Sequence, residues 1–105
     1  MASRLRRLLG VTVLLLGLSA CVTTPPPLME YSIARAALEA ARSVDAAVHS
    51  PGHWSRAEEA YRQADLLFAE RMFSEARAEF NRARVSAERA ENAARVIRAK
   101  SGDIL

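Results

Sequence analysis

The chain contains few of the residues that usually mark a catalytic or cross-linked protein. Its 105 residues include one cysteine, four glycines, four prolines and two histidines, and aromatic residues make up only 6%. A single cysteine excludes a disulfide scaffold, and the sequence has neither a Gly-rich phosphate loop nor the nucleophile elbow of hydrolases. The length suits one small domain. We therefore expect no enzymatic activity, no cofactor and no metal.

An excess of charge of one sign is confined to the first seven residues. The formal net charge is +3, and Arg4, Arg6 and Arg7 account for all of it, so the rest of the chain is balanced. Because the positive and negative charges after residue 7 cancel, this part of the chain has no long-range positive field that would attract a polyanion. We expect no nucleic-acid partner.

No hydrophobic run in the sequence is long enough to cross a bilayer. The apolar stretch after the arginines, residues 8–18, is shorter than the roughly 20 helical residues that spanning requires, as in a secretion signal. It ends in Leu18-Ser19-Ala20-Cys21, which resembles the bacterial lipobox. In that family the peptide is cut before the cysteine, whose thiol is acylated. The resemblance implies a signal peptide over residues 1–20 and a lipid anchor on Cys21; the alternative is a merely buried apolar cysteine.

The resemblance also implies a compartment. Residue 22 is valine, whereas an aspartate there favours retention in the inner membrane of enteric-type bacteria. We expect the outer membrane, with the body facing the periplasm, and the inner membrane as the less favoured location. Two or more acyl chains hold a protein stably without help from basic residues.

A proline-rich segment separates the cysteine from the rest of the chain. Residues 21–29 include three consecutive prolines, Pro25 to Pro27, which cannot continue a helix and favour an extended conformation. At about 3.1 Å per residue the eight residues 22–29 reach about 25 Å. We expect a short, stiff tether that keeps the folded part close to the bilayer.

The remainder is rich in alanine, and its apolar spacing predicts an all-α fold. Alanine makes up 19 of the 85 residues from Cys21 onward, mixed with arginine and glutamate, which are also strong helix formers. We predict an antiparallel three-helix arrangement over residues 30–100 with coiled-coil-like or tetratricopeptide-like packing, followed by a short tail, 101–105. The predicted helices span residues 30–49, 54–70 and 74–99.

Each predicted helix has an apolar stripe at helical spacing. The main stripes are Ile33, Ala37, Ala40, Val44 and Ala47; then Trp54, Ala57, Tyr61, Ala64 and Phe68; then Phe73, Ala76, Phe80, Ala83, Ala87, Ala90, Ala94 and Ile97. A second set of apolar residues, Ala34, Leu38, Ala41 and Val48, widens the first stripe. Ser50-Pro51-Gly52 is expected to end the first helix. Ser55 with Glu58, and Ser74, are the expected caps of the next two.

Parts of the pattern resemble known helical families. The segments Ala34-Arg35-Ala36-Ala37-Leu38-Glu39-Ala40-Ala41 and Phe73-Ser74-Glu75-Ala76-Arg77, with the Ser-Pro-Gly break between them, resemble the bacterial family called domain of unknown function 4398. That family consists of small Ala-rich envelope proteins with a tetratricopeptide-like hairpin. Arg71 departs from the tetratricopeptide pattern, which has glycine at the turn. The resemblance implies an architecture and a compartment and no activity.

The two histidines are the only candidates for metal ligands. His49 and His53 are four residues apart, but Pro51-Gly52 lies between them and breaks the helix that would align their rings. We therefore expect loop histidines and no metal site.

Two functions fit these observations. The first is a membrane-anchored, non-catalytic helical interaction or scaffold module of the cell envelope. The alternative is a structural coiled-coil lipoprotein, acting as a spacer or associated non-covalently with peptidoglycan, although the Ser-Pro-Gly break argues against one continuous rod.

A candidate partner surface follows from the lengths of the predicted helices. The third outruns the second, so Ala90, Ala94 and Ile97 lie on an apolar seam that only the first helix is available to cover. If it is uncovered, this seam suits another helix, from a second copy or from another envelope protein. The other possibility is that the first helix covers it.

Cys21→Ser should abolish incorporation of labelled fatty acid and leave the uncleaved precursor, because the thiol is the expected acyl acceptor. Metabolic labelling followed by gel analysis measures both effects. Labelling of the serine variant at the wild-type level would contradict the lipobox assignment.

Overall fold

The fold consists of helices around one long C-terminal helix. The computed structural model describes residues 2–19 and 24–102, and within those ranges it contains helices and no strand. The helices are α1 (Ala2–Ser19), α2 (Leu28–Ser43), α3 (Ala46–His49), α4 (Pro51–Ala69) and α5 (Phe73–Lys100). The all-α prediction is confirmed. Two of these helices are additional to the three predicted: α1, and α3, which lies within the range of the first predicted helix.

Helix α5 is the element on which the others pack. It has 28 residues, about 42 Å at 1.5 Å per residue, against 19 residues and about 28 Å for α4. Both α2 and α4 lie along α5, whereas α2 and α4 scarcely contact each other. Helix α4 runs antiparallel to α5 and α2 runs parallel to it, because the start of α2 contacts the start of α5.

A column of small side chains on α5 makes this double packing possible. Five alanines of the predicted seam are completely buried, at positions 76, 83, 87, 90 and 94. Alanine lets helix axes approach to about 8 Å, so two helices can lie against one. The predicted core face of α5 is therefore confirmed as far as Ala94.

The large side chains of the core gather around Phe80. Its ring is completely buried and lies edge-on to those of Tyr31 and Tyr61, with centroids 5.5 and 5.7 Å away. The ring of Phe68 is 6.5 Å from Phe80 and 5.5 Å from Phe73. These contacts join α2, α4 and α5, so Phe80 is the largest single contribution to burial.

The buried face of α2 differs from the predicted main stripe. Ala34, Leu38 and Ala41 are buried, whereas Ile33 is 45% exposed. These buried residues are the ones that the sequence indicates only as widening the stripe. The buried face of α2 is rotated relative to the predicted stripe, because packing against α5 decides which face of α2 is covered.

The first predicted helix ends earlier than expected. Helix α2 stops at Ser43, and Asp45 adopts the left-handed conformation, with φ 56°. Aspartate tolerates this conformation better than most residues, and the reversal starts the separate helix α3. The prediction of one helix over 30–49 is therefore wrong after Ser43.

The Ser50-Pro51-Gly52 break is real, but it is only one residue wide. Ser50 separates α3 from α4, and Pro51 is the first residue of α4, where proline loses no helical hydrogen bond. Gly52 lies inside the helix. The predicted capping box of Ser55 and Glu58 is wrong, because both residues lie beyond the first turn of α4.

The turn between α4 and α5 is a Schellman motif with arginine at the glycine position. The amide of Met72 donates to the carbonyl oxygen of Leu67 at 2.9 Å, and that of Arg71 donates to Phe68 at 3.0 Å. Arg71 has φ 61°, the conformation that favours glycine. The sequence predicts the turn correctly but not the cap, because α5 begins at Phe73 and Ser74 is already helical.

Ion pairs between residues four apart support the exposed faces of the helices. Arg62 lies 3.7 Å from Glu58, and Arg95 lies 3.4 Å from Glu91. Such exposed pairs contribute little to stability. Gly102 has φ 75° and closes α5.

Helix α1 makes no contact with the other helices among the residues that the structure describes. No helix within those ranges combines the length and the apolar character needed to cross a membrane.

Phe80→Ala should lower the free energy of unfolding by about 3–5 kcal/mol, because a completely buried ring leaves a cavity between three helices. Urea unfolding of residues 24–102, followed by circular dichroism, measures the loss. Leu66→Ala is the control: this side chain is 60% exposed, and its truncation should change stability by less than about 0.5 kcal/mol. Equal effects of the two substitutions would contradict the assigned core.

Arg71→Gly should raise the free energy of unfolding by up to about 1 kcal/mol, because glycine adopts positive φ without the clash of a Cβ atom. The same unfolding measurement tests this expectation. Glu70→Gly is the matched control, since Glu70 has φ −81° and glycine there only adds chain entropy to the unfolded state. Destabilisation by both substitutions would contradict the strain assigned to Arg71.

Candidate functional site: the two ends and the grooves of the bundle

The lipobox residues lie at the edge of the described structure. Leu18 and Ser19 are the last two residues of α1, and Ala20 and Cys21 lie outside the described residues, as does the end of the tail, 103–105. The structure therefore does not test the lipidation site itself. It does describe the chain from Thr24, three residues after the cysteine.

The structure places the proline segment against the bundle, whereas the sequence predicts a short, stiff tether. Pro27 is completely buried, and α2 begins directly after it, at Leu28. The hydroxyl groups of Thr24 and Ser74 are 3.3 Å apart. The coil therefore packs beside the turn between α4 and α5. We call this end, residues 24–29 and 70–74, the base.

The predicted partner seam is covered along most of its length. Ala90 and Ala94 are completely buried, so they are not available to a partner while this packing is intact. They belong to one cluster with Val44 and Ala46. The cover comes from the reversal at Asp45, which turns the chain back over the part of α5 that extends past α4. Of the three proposed residues only Ile97 remains accessible, at 39% exposure.

Exposed apolar side chains nevertheless gather at that end of the bundle. Val48 on α3 is 75% exposed, and Val96 and Ile97 on α5 are 53% and 39% exposed. We call α3 and residues 94–100 the distal end, since they lie opposite the base. The sequence indicates Val48 as a core residue, because it continues the stripe of a helix that in fact ends at Ser43. Nothing in the sequence pattern indicates that Val96 is part of an exposed apolar group.

A basic groove runs between α2 and α4, where these helices diverge. Its volume is about 310 Å³, and Leu38 and Tyr61 contribute its apolar lining. Three arginines, Arg35, Arg42 and Arg62, and two glutamates, Glu39 and Glu58, line the rest. Arg35 and Arg62 are already paired with glutamates of their own helices, and the guanidinium of Arg42 lies 5.6 Å from the ring centroid of Trp54. These neighbours leave little unpaired positive charge for an acidic ligand.

The ionisation of Tyr61 reflects the packing beneath this groove. Burial raises the pKa of the Tyr61 phenol to about 12, and the negative charge of Asp65 adds to the shift. Partial burial also raises the pKa of Asp65. A phenol with a pKa of about 12 keeps its proton at neutral pH.

A second groove follows the contact between α4 and α5, and no α2 residue lines it. Its volume is about 670 Å³, and Ala60 and Ser86 are the least exposed of its lining residues. Its rim carries both signs of charge, including Arg56, Arg89 and the ion pair between Arg82 and Glu79 at 2.7 Å. A mixed rim of this kind suits solvent or a polar chain more than a single charged ligand.

The histidines lie in two different helices. His49 ends α3 and His53 belongs to the first turn of α4, so the prediction that both lie in a loop is wrong. Nδ1 of His53 is 3.2 Å from a guanidinium nitrogen of Arg56. Within the described ranges no group of three or more His, Cys, Asp or Glu residues is placed to hold a metal ion.

Comparisons with protein-family models, with curated proteins and with solved structures found no match for this chain. The likeness to the family called domain of unknown function 4398 therefore remains an expectation from the residues quoted above.

The stability of the domain should fall as the pH rises from 10 to 12. The folded state raises the Tyr61 pKa from its ordinary 10 to about 12, so the folded protein holds this proton more tightly than the unfolded chain. The resulting stabilisation is complete below pH 10 and is lost as the pH approaches 12. Unfolding across this range, compared with Tyr61→Phe, measures the effect. Identical pH dependence of the two proteins would contradict the assigned shift.

Proposed function

We propose that the chain is a lipid-anchored, non-catalytic interaction module of the bacterial cell envelope. The signal-like segment and the lipobox supply the anchor, and the all-α bundle is the part that contacts other proteins. On this proposal the mature protein begins at Cys21 and faces the periplasm from the outer membrane.

The observation that carries the proposal is the exposed apolar surface at the end of the bundle remote from the proposed anchor. The base receives the chain from the proposed anchor, because Thr24 and Pro27 pack there. The distal end exposes Val48, Val96 and Ile97, on two adjacent helices. Exposed apolar residues that group together at one site are typical of protein-binding surfaces, whereas scattered single ones are ordinary. The arrangement presents these residues at the end remote from the anchor.

The folded path of the chain disfavours the alternative of a structural rod. The sequence reverses direction between α2 and α4 and again between α4 and α5, so the body is no longer than α5, about 42 Å. A spacer made from residues 28–100 as one continuous helix would be about 110 Å long, more than twice that length.

The chain offers a local reporter for contacts at the distal end. Lys100 is its only lysine and is the last residue of α5, one turn beyond Ile97. An amine-reactive crosslinker therefore reacts at this end of the body, and the mass of the product distinguishes a second copy from another envelope protein.

Ile97→Glu should abolish the crosslinked product formed through Lys100 in intact cells, because a buried carboxylate opposes an apolar contact. Ile33→Glu is the matched control: it makes the same substitution at a similarly exposed isoleucine, 45% against 39%, away from the distal end. The control should keep the product. Circular dichroism of both variants confirms that they are folded. A folded Ile97→Glu protein with the wild-type product would refute the distal end as the contact surface.

A further inference from the structure

The base of the bundle holds the chain at three successive points before and within α2. The hydroxyl of Thr24 lies 3.3 Å from that of Ser74, Pro27 is completely buried, and Glu30 pairs with Arg77 at 3.3 Å. Pro27 is fully buried, and the Glu30–Arg77 pair is only partly accessible to water. Water therefore does not readily replace either contact. The path of the chain from Thr24 into α2 is therefore fixed relative to the turn between α4 and α5.

This fixed path limits how far the base can lie from a lipid on Cys21. Cys21 precedes Thr24 by three positions, and an extended chain spans at most about 3.6 Å per residue. The Cα atom of Cys21, whose sulfur carries the acyl group on the proposed function, thus lies within roughly 11 Å of the Cα atom of Thr24. Acyl chains begin at the bilayer surface, so the base lies at the level of the lipid headgroups.

The base also exposes the side chains that suit this position. Leu28 and Met29 in the first turn of α2 are 64% and 72% exposed, and Met72 in the α4–α5 turn is 42% exposed. Glu70 and Arg71 beside Met72 are exposed as well, so the base carries one charge of each sign, and the long arginine can extend its charge toward phosphate groups while its methylenes lie against apolar surface. Large apolar residues with a neighbouring cation are the composition of segments that lie in the membrane interface.

We infer that the base docks on the lipid surface, with Leu28, Met29 and Met72 inserted between headgroups. This inference rests on the proposed lipid anchor and adds a second contact to it. The anchor alone would let the domain rotate about a tether, whereas two contacts fix its orientation. The α5 axis then leads away from the bilayer, and the distal end is held up to about 42 Å from the base.

The test places a fluorescent label at each end of the acylated, full-length protein. Cys21 is the only native cysteine, and its thiol is blocked when it is acylated, so Met72→Cys and, as control, Val48→Cys each provide a single reactive thiol. An environment-sensitive dye is attached, and the protein is placed in vesicles of phosphatidylethanolamine and phosphatidylglycerol with brominated acyl chains. The label at position 72 should shift to the blue and lose most of its emission, and the label at position 48 should keep both.

A further variant separates insertion from mere proximity. Adding Leu28→Glu and Met29→Glu to the Met72→Cys protein should restore the emission of the label while acylation remains, because carboxylates oppose insertion beside anionic lipids. Circular dichroism confirms that the variant is folded. Quenching that survives both glutamates would show that the anchor alone brings the base to the lipid and would overturn the inference.

Mass spectrometry of the same samples distinguishes the failure of this inference from that of the proposed function. A chain without acyl groups refutes the lipid anchor and the docking together. An acylated chain whose label at position 72 remains unquenched refutes the docking alone. A label that is shifted to the blue but not quenched by brominated lipid shows a protein cover on the base, which also overturns the inference.

Discussion

The structure depends on the close approach of two helices to the alanine face of a third. Ala83, Ala87 and Ala90 of α5 have no exposed surface, and this small-residue column lets α2 and α4 share one partner. Each alanine buries little apolar area, so stability relies heavily on the aromatic group around Phe80. The result is a thin bundle in which α2 and α4 diverge and leave grooves instead of a closed core.

A thin bundle of this kind has two ends whose chemistry differs. The base combines a fixed coil, an arginine in the left-handed conformation and exposed methionines, whereas the distal end exposes branched aliphatic residues on α3 and α5. The grooves along the sides carry mostly paired charges. The sides are therefore suited to water. On the proposed function, the contacts with lipid and with other proteins lie at the two ends.

The sequence predicts the regular parts of the fold well and the reversals poorly. Helix type and the α5 seam follow from alanine content and from a strict spacing of three and four residues, which leave few alternatives. The break at Asp45 lacks the glycine or proline that normally indicates a reversal, so α3 and the cover that it gives to the end of α5 could not be predicted. The exposure of Val48 and Ile33 depends on the side from which α5 approaches, which is a tertiary property. Of the candidate surface only Ile97 is accessible, and its contact with a partner stays a prediction.

The central place of α5 also determines when the protein can fold. The apolar face of α2 packs mainly against α5, which is the last helix of the body to be synthesised. Ala34 and Ala83 share one buried cluster, and they leave the ribosome roughly 2.5–10 s apart at 5–20 residues per second. During that interval the α2 segment cannot bury its apolar face against its native partner. Folding of the body therefore follows synthesis instead of accompanying it, and the emerging chain remains open until its final helix is complete.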